Sequence, residues 1–271
     1  MFNKKVKVLI LRTAGTNCDQ ETMFAFSYFG ADVRSVHIKR LINKEVKLSD
    51  FHILAIPGGF TYGDDIESGR ILANELRFHL GEDLCQFMGA KKLIIGICNG
   101  FQILTKAGIL PGPLNEAEYK NHHLSQSATL TNNDSGKFED RWCHLKPEGN
   151  SVWIEGVSSV IYLPVAHGEG KFMTADNNVL QQLERNGQVV FRYCSEEGLP
   201  TSYPGNPNGA QRSIAGIVDR TGRILGLMPH PERHFFRRQH PFWTRLDAKE
   251  ELGHGAGIFK NGVEYVKENF L

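Results

Sequence analysis

A cysteine flanked by glycines is the residue of this sequence best placed for nucleophilic chemistry. Cys98 lies in the middle of residues 96–100 (GICNG). The apolar run 93–95 before it predicts a strand buried on both faces, and residues 101–108 predict a short helix that ends at a glycine. A sharp turn from strand to helix lifts the middle side chain clear of the sheet, and the glycines remove Cβ atoms that would clash in the bend. The sulfur then lies at a helix N-terminus, where backbone N–H groups stabilise negative charge. The segment predicts a thiolate nucleophile, with a buried structural cysteine as the competing interpretation.

A thiolate nucleophile needs a base within hydrogen-bond reach and a third group that orients the base. Two histidines follow predicted strands and have an acidic residue two positions later: His230 with Glu232, and His167 with Glu169. Prolines on both sides of His230 restrict the backbone and hold the imidazole and the carboxylate in a stiff turn. Glycines around His167 instead suit a loop that approaches a ligand through its main chain. We therefore predict that His230 is the base and that Glu232 orients it, while an ordinary loop histidine explains His167 equally well.

Acyl transfer also requires hydrogen-bond donors for the oxyanion of its tetrahedral intermediate. The turn at residues 57–60 (PGGF) follows an apolar run and can supply the N–H of Gly59. Asn99, the residue after the nucleophile, can supply the second N–H. The same glycines fit a tight turn without a catalytic role equally well.

The first half of the chain alternates strand and helix patterns, which must position these residues. Strand patterns occupy residues 6–11, 33–38, 51–56 and 93–95, and helix patterns occupy residues 16–30 and about 66–80. This alternation predicts an α/β fold with a mostly parallel sheet and helices on both faces. Such folds bind ligands at the carboxyl ends of their strands, where both the PGGF turn and Cys98 fall.

The second half of the chain is richer in strand patterns. They occupy residues 127–131, 160–165, 189–193, 214–218 and 224–228, and residues 219–222 predict a hairpin turn between the last two. No linker rich in Pro, Gly or Ser separates the halves, so we expect a single domain over residues 1–271.

Composition and charge exclude several classes of function. The 31 Lys and Arg residues balance 30 Asp and Glu residues, so neither nucleic acid nor an anionic membrane is an expected partner. No run approaches the roughly 18 apolar residues of a membrane span. The five cysteines are widely spaced with no CxxC pair, which favours a reducing cytoplasm. His122-His123 and Cys143-His144 fit no standard zinc spacing, so we expect solvated loops there and no metal.

Three segments of the chain resemble the class I glutamine amidotransferases: residues 96–102 (GICNGFQ), 57–60 (PGGF) and 229–233 (PHPER). Within that class the sequence resembles the glutaminase subunits of phosphoribosylformylglycinamidine synthase. The segments that carry this closer resemblance are residues 15–19 (GTNCD), 60–65 (FTYGDD), 166–170 (AHGEG) and 206–209 (NPNG).

The resemblance implies a flavodoxin-like fold and a role for each matching residue. It implies that Cys98 is the nucleophile, His230 the base and Glu232 its orienting partner. Gly59 and Asn99 match the oxyanion positions, and Gln102 and the loop of His167 and Gly168 match the positions that bind glutamine.

The resemblance further implies that the chain hydrolyses L-glutamine and passes ammonia to a large ATP-dependent synthetase that aminates formylglycinamide ribonucleotide. A small bridging subunit is a further expected partner. No P-loop signature is visible, so the chain itself is expected to hold no cofactor, with ATP and Mg²⁺ on the synthetase.

The resemblance extends from about residue 5 to about residue 234. We expect residues 234–271 to form an atypical C-terminal extension, which lies either at the interface with a partner or folded over the chain's own sheet.

The residues leave two other functions open. One is a cysteine hydrolase or deglycase on a similar fold, in which a histidine usually follows the nucleophile; here Asn99 does. The other is a non-catalytic module that binds a partner.

Overall fold

The structure is a computed structural model and describes residues 5–64, 66–113, 125–157, 159–246 and 251–271. The helices of the described part are α1 (Asp19–Tyr28), α2 (Ile38–Ile42), α3 (Arg70–Gly89), α4 (Asn99–Lys106), α5 (Asn177–Arg185) and α6 (Ala256–Phe270). The strands are β1 (Lys7–Arg12), β2 (Asp32–His37), β3 (Ile53–Ile56), β4 (Leu93–Ile97), β5 (Ala128–Thr131), β6 (Glu139–Pro147), β7 (Ile161–His167), β8 (Lys171–Thr174), β9 (Val189–Cys194), β10 (Ile214–Val218) and β11 (Ile224–Leu227). Within these ranges, no helix combines the length and the apolar character that crossing a membrane requires.

Nine of these strands form one sheet in the order β2-β1-β3-β4-β11-β10-β9-β6-β7. The strands from β2 to β11 are parallel, and the pairs beyond β11 are antiparallel. Strands β5 and β8 form a separate antiparallel pair. The connection from β1 to β2 and the connection from β3 to β4 run in opposite directions across the sheet. Both are crossovers between parallel strands, and such crossovers are right-handed. Helices α1 and α3 therefore lie on opposite faces, which confirms the predicted α/β class.

The core is built from the near-continuous apolar strands of the parallel half. All residues of β3, β4 and β11 are buried, as expected for central strands covered on both faces. Helix α1 packs against α6 on one face, and α3 packs against α4 on the other. This arrangement keeps the carboxyl ends of β3, β4 and β11 at one edge, where the candidate residues follow each strand.

Several elements differ from the sequence predictions. The helix expected over about residues 66–80 begins at Arg70, because Gly69 adopts a left-handed conformation with φ 75°. Ile66 lies outside the helix and is 75% exposed, and the helix extends to Gly89. Cys143 and His144 lie in strand β6 with the cysteine buried, so the predicted loop there is wrong. The His122-His123 pair lies outside the described residues.

The strand-to-helix turn brings α4 into direct contact with the sheet. A Cβ atom on Gly100 would overlap the backbone oxygen of Ile56 in β3, and a Cβ atom on Gly96 would lie 2.6 Å from the oxygen of Gly100. Cys98 itself has φ 52° and ψ −107°, a strained conformation for a residue with a side chain. The glycines therefore allow the close approach that holds Cys98 in this conformation.

We expect the substitution Gly100→Ala to lower the free energy of unfolding by about 2 kcal/mol or more, because the added methyl group meets rigid backbone. Urea denaturation measures this change. The matched control is Gly81→Ala in α3, where an added Cβ atom has no neighbour within 4 Å. That control should gain about 0.5–1 kcal/mol from improved helix propensity. Equal midpoints for the two variants would contradict the proposed close approach.

Candidate active site

Cys98 follows β4 directly and is the residue before the first turn of α4. Its amide donates a hydrogen bond to the oxygen of Leu227 at 2.8 Å, which ties the turn to the end of β11. The sulfur lies 3.6 Å from the oxygen of Ala166, and the side chain is buried. Because Ile97 pairs with Leu227 in register, the residues that follow β11 lie beside Cys98.

His230 follows β11 and is held by its backbone and by its ring. Its amide donates to the oxygen of Pro164 at 2.8 Å, and Pro231 begins a short 3-10 helix, Pro231–His234. The ring nitrogen Nδ1 lies 2.6 Å from Oε1 of Glu232, and both side chains are buried. The stiff turn predicted from the two prolines thus holds the Glu232 carboxylate within hydrogen-bond distance of the His230 imidazole.

Electrostatics favour the protonated form of His230. Burial alone would lower its pKa, but Glu232 and Cys98 together raise the pKa well above its ordinary value. His230 therefore carries a proton near neutral pH when Cys98 is a thiolate. This is the arrangement that a nucleophilic sulfur and a general acid for the leaving amine require.

Gly59 and Asn99, the predicted oxyanion donors, follow the neighbouring parallel strands β3 and β4. Gly59 has φ 148°, and a Cβ atom there would lie 2.6 Å from the oxygen of Gly15, so no larger residue fits. The N–H of Asn99 belongs to the first turn of α4, whose amides lack partners inside the helix. The Asn99 side chain accepts a hydrogen bond from the amide of Thr61 at 3.3 Å and donates to Gln102 at 2.9 Å.

Gln102 connects the helix of the nucleophile to the loop after β7. Its Nε2 atom donates to the backbone oxygen of Glu169 at 2.6 Å, and its side chain is buried. Gln102 therefore holds residues 166–170 against α4.

The imidazole of His167 supports this loop from within. Its Nδ1 lies 3.2 Å from Oδ1 of Asn133 and its Nε2 lies 3.4 Å from Nδ2 of Asn208. Burial, together with the nearby His230, lowers the pKa of His167 to about 3, so the ring is neutral. The backbone oxygen of Gly168 accepts from the amide of Asn133 at 2.9 Å. The predicted contact of the His167-Gly168 loop with glutamine would thus fall to its main chain.

Two groups near the site were missed by the sequence analysis. Lys106 lies one turn after Gln102 and donates to the oxygen of Ser68 at 2.7 Å, with the carboxylates of Glu169 and Glu67 at 3.5 and 3.7 Å. Burial lowers the pKa of this lysine, and the carboxylates partly offset the effect. The spacing of four residues from Gln102 on one helix face was the available signal.

Cys18 is the second missed group. It precedes α1 at the carboxyl end of β1 and is buried beside His230 and Glu232. Nη2 of Arg233 donates to its sulfur at 3.1 Å. Burial raises the pKa of the Cys18 thiol despite the neighbouring cation. The signal in the sequence was its place in the GTNCD segment, in the loop between the first strand and the first helix.

A flavodoxin-like sheet with a cysteine at a strand-to-helix turn and a His-Glu pair after the adjacent strand defines a class I glutamine amidotransferase. The chain belongs to the family of CobB/CobQ-like glutamine amidotransferase domains, whose model matches residues 5–266. The match includes α6 as far as residue 266, within the C-terminal extension expected from the sequence.

The chain is also similar to curated members of one subunit type. It is 48% identical over 267 residues to phosphoribosylformylglycinamidine synthase subunit PurQ of Dehalococcoides mccartyi, covering 97% of this chain and 99% of the relative. It is 42% identical to the PurQ subunit of Methanococcus maripaludis, covering 96% and 97%. A chain in the structure of PurLQS from Thermotoga maritima is 27% identical with a TM-score of 0.71, covering 97% of this chain and 100% of that chain. The resemblance found in the sequence is confirmed.

Proposed function

We propose that this chain is the glutaminase subunit of phosphoribosylformylglycinamidine synthase. It hydrolyses L-glutamine and supplies ammonia to a synthetase that aminates formylglycinamide ribonucleotide in purine biosynthesis. The observation that carries the proposal is the buried Cys98, His230 and Glu232 set, in a chain 48% identical over nearly its full length to a PurQ subunit.

The first half of the reaction forms a thioester. The thiolate of Cys98 attacks the side-chain amide carbon of glutamine, and the negative charge moves to the amide oxygen. The amides of Gly59 and Asn99 are the proposed donors to that oxygen. The carbon–nitrogen bond then breaks as protonated His230 gives its proton to the nitrogen, and ammonia leaves.

The second half hydrolyses the thioester. Neutral His230 takes a proton from water, and the resulting hydroxide attacks the thioester carbon. Collapse of the second tetrahedral intermediate breaks the carbon–sulfur bond and restores the thiolate beside protonated His230. The product leaves as glutamic acid, whose new carboxyl group loses its proton to solvent. Glu232 keeps the proton of Nδ1 in place through both halves, so that Nε2 remains the nitrogen that exchanges protons.

The partners follow from the same proposal. A large ATP-dependent synthetase holds ATP and Mg²⁺ and receives the ammonia, and a small subunit bridges the two. The similar chain in the PurLQS structure supports an assembly of this kind. The five free cysteines fit a reducing cytoplasm as the location.

The proposal is tested by assaying the chain with its cognate synthetase, ATP, Mg²⁺, formylglycinamide ribonucleotide and glutamine. We expect glutamate and the aminated product to form in equal amounts. Amination that proceeds with ammonia but never with glutamine would overturn the proposal, as would a complex in which glutamate does not form.

The C-terminal segment divides into a packed part and an exposed part. The ring of Phe235 is buried and lies 5.5 Å from Phe24 and 5.0 Å from Tyr28 of α1. Phe242 and Trp243 are 53% and 45% exposed. The stretch around Phe235 therefore packs on the chain's own helix α1, and we propose that the exposed stretch around Phe242 and Trp243 contacts the partner.

We expect the double substitution Phe242→Ala with Trp243→Ala to weaken binding of the synthetase by at least tenfold while the melting temperature stays unchanged. Exposed aromatic rings are enriched among the residues that dominate interface energies, and these two carry little of the chain's own packing. Calorimetric titration and thermal unfolding measure the two quantities. Phe78→Ala, at a 78% exposed ring on α3, is the control and should alter neither. A lowered melting temperature with normal binding would contradict the interface role.

A further inference from the structure

Three side chains on the Glu232 side of the site form a compact set of metal-ligand types. Cys18, His230 and Glu232 each offer one ligand atom, and these sulfur, nitrogen and oxygen atoms all lie within 4.8 Å of one another. All three residues are buried. Thiolate, imidazole and carboxylate are the three protein ligands that zinc takes. They come from three different parts of the fold: Cys18 precedes α1, His230 follows β11, and Glu232 lies in the 3-10 helix Pro231–His234.

An unpartnered atom at this set forms a second, independent observation. Oε2 of Glu232 is buried and has no hydrogen-bond partner among the described residues. A buried carboxylate oxygen left without a partner is unfavourable, and such an atom in a folded protein calls for an explanation such as an ion. A cation bound to these groups would satisfy the carboxylate oxygen that Nδ1 of His230 leaves free.

The backbone keeps the neighbourhood of these groups open. A Cβ atom on Gly58 would lie 2.7 Å from Cε1 of His230 and 3.1 Å from the sulfur of Cys18. The sulfur already receives a hydrogen bond from Arg233, so its lone pairs are accessible to a positive group. Arg233 has an alternative partner in Glu21, whose carboxylate lies 3.6 Å from its Nε atom. The guanidinium can therefore turn aside when another cation takes its place.

We propose that Cys18, His230 and Glu232 form an inhibitory site for a divalent transition-metal ion of the zinc type. Three protein ligands with an open fourth position match the pattern of accessible zinc sites. Ligand atoms around a tetrahedral zinc ion lie about 3.5 Å apart, given metal–ligand distances of about 2.0–2.3 Å, a spacing within the 4.8 Å limit that the three ligand atoms satisfy. The ion occupies the imidazole and the carboxylate that the proposed reaction uses, and glutamine hydrolysis stops until the metal is removed.

The deciding experiment is a titration of the full-length Cys98→Ala protein with cobalt(II), followed by displacement with zinc(II). Removing the nucleophile excludes a competing site between Cys98 and His230 and makes the readout independent of catalysis. We expect one equivalent of cobalt to bind, with the intense visible bands of four-coordinate cobalt and a thiolate-to-cobalt charge-transfer band in the near ultraviolet.

Two double variants assign the thiolate ligand. Cys98→Ala with Cys18→Ser, a change of one atom that preserves the side-chain shape, should lose the charge-transfer band and bind zinc at least about tenfold more weakly. Cys98→Ala with Cys85→Ala, which removes a partly exposed thiol on α3, should bind as the parent does. Absence of cobalt binding to the parent, or a charge-transfer band that survives loss of Cys18, would overturn the site. Either result would leave the proposed glutaminase activity of the wild type untouched, because that activity is assayed separately.

Discussion

The substitution Cys98→Ala should abolish glutamine-dependent amination by the complex with the synthetase and leave ammonia-dependent amination intact. Without the sulfur no thioester can form, so glutamine hydrolysis should fall to the background rate. Ammonia supplied from solution bypasses this chain and reaches the synthetase directly. The measurement is the rate of product formation with each nitrogen source, at saturating ATP and formylglycinamide ribonucleotide.

Two other buried cysteines serve to test this prediction, one as a control and one as an alternative nucleophile. Cys194→Ala removes another buried cysteine, at the end of β9, and should leave both activities unchanged. Cys18 is the rival nucleophile, because it is buried beside the same histidine. Its raised pKa disfavours the thiolate, and it lacks the strained turn that presents Cys98. An electrophilic glutamine analogue should therefore label Cys98 alone, and an adduct on Cys18 or Cys194 would refute the mechanism.

The residues around the nucleophile could be predicted because their signals are local. An apolar run, a glycine on each side of Cys98 and a short helix define one turn within about 16 residues. The prolines beside His230 likewise fix a turn that needs no distant contact. The fold class also predicts that the turn at Gly59 and the turn at Cys98 lie at one edge of the sheet, since parallel strands align their carboxyl ends there. The structure adds that Ile97 pairs in register with Leu227, which brings the turn of His230 beside Cys98.

Elements whose existence depends on distant contacts could not be predicted. Strand β6 reads EDRWCHLKP, with charges and a proline that disfavour a strand, and it forms because it pairs with both β7 and β9. Helix α6 forms against α1, far away in sequence. The burial of Lys106 depends on Glu67 and Glu169 arriving from two separate loops. Secondary-structure propensity and hydrophobic periodicity carry no information about contacts between segments that are distant in the sequence.

The role of His167 shows a third kind of limit. Its spacing to Glu169 resembles that of His230 to Glu232, and both histidines follow strands. The difference lies in their partners: His230 meets a carboxylate, whereas His167 meets the amides of Asn133 and Asn208. Those partners raise the pKa of one ring and leave the other, lowered by burial, at about 3. Asn133 and Asn208 are distant from His167 in the sequence, so only the folded structure identifies them as its hydrogen-bond partners.

The substitution His230→Ala should lower kcat for glutamine hydrolysis by about 100-fold or more, the usual scale for loss of general acid–base catalysis. His167→Ala should act mainly on KM, because that neutral ring supports the loop through Asn133 and Asn208 and exchanges no proton near neutral pH. Steady-state assays of glutamate release by the complex separate the two effects. The reverse pattern, with kcat lost in the His167 variant, would exchange the two roles.

Glu232→Gln should lower kcat less than His230→Ala does, and it should also change the pH profile. The carboxylate raises the pKa of His230 against the opposing effect of burial, so its removal lowers that pKa. A raised pKa keeps His230 protonated until the pH rises through it. The alkaline limb of kcat/KM, which reports groups of the free enzyme, should therefore move to lower pH in the Gln variant. The limb should stay in place in His167→Ala, since that ring is neutral throughout this range. An alkaline limb that is the same in Glu232→Gln and in the wild type would mean that Glu232 does not control the protonation of the base.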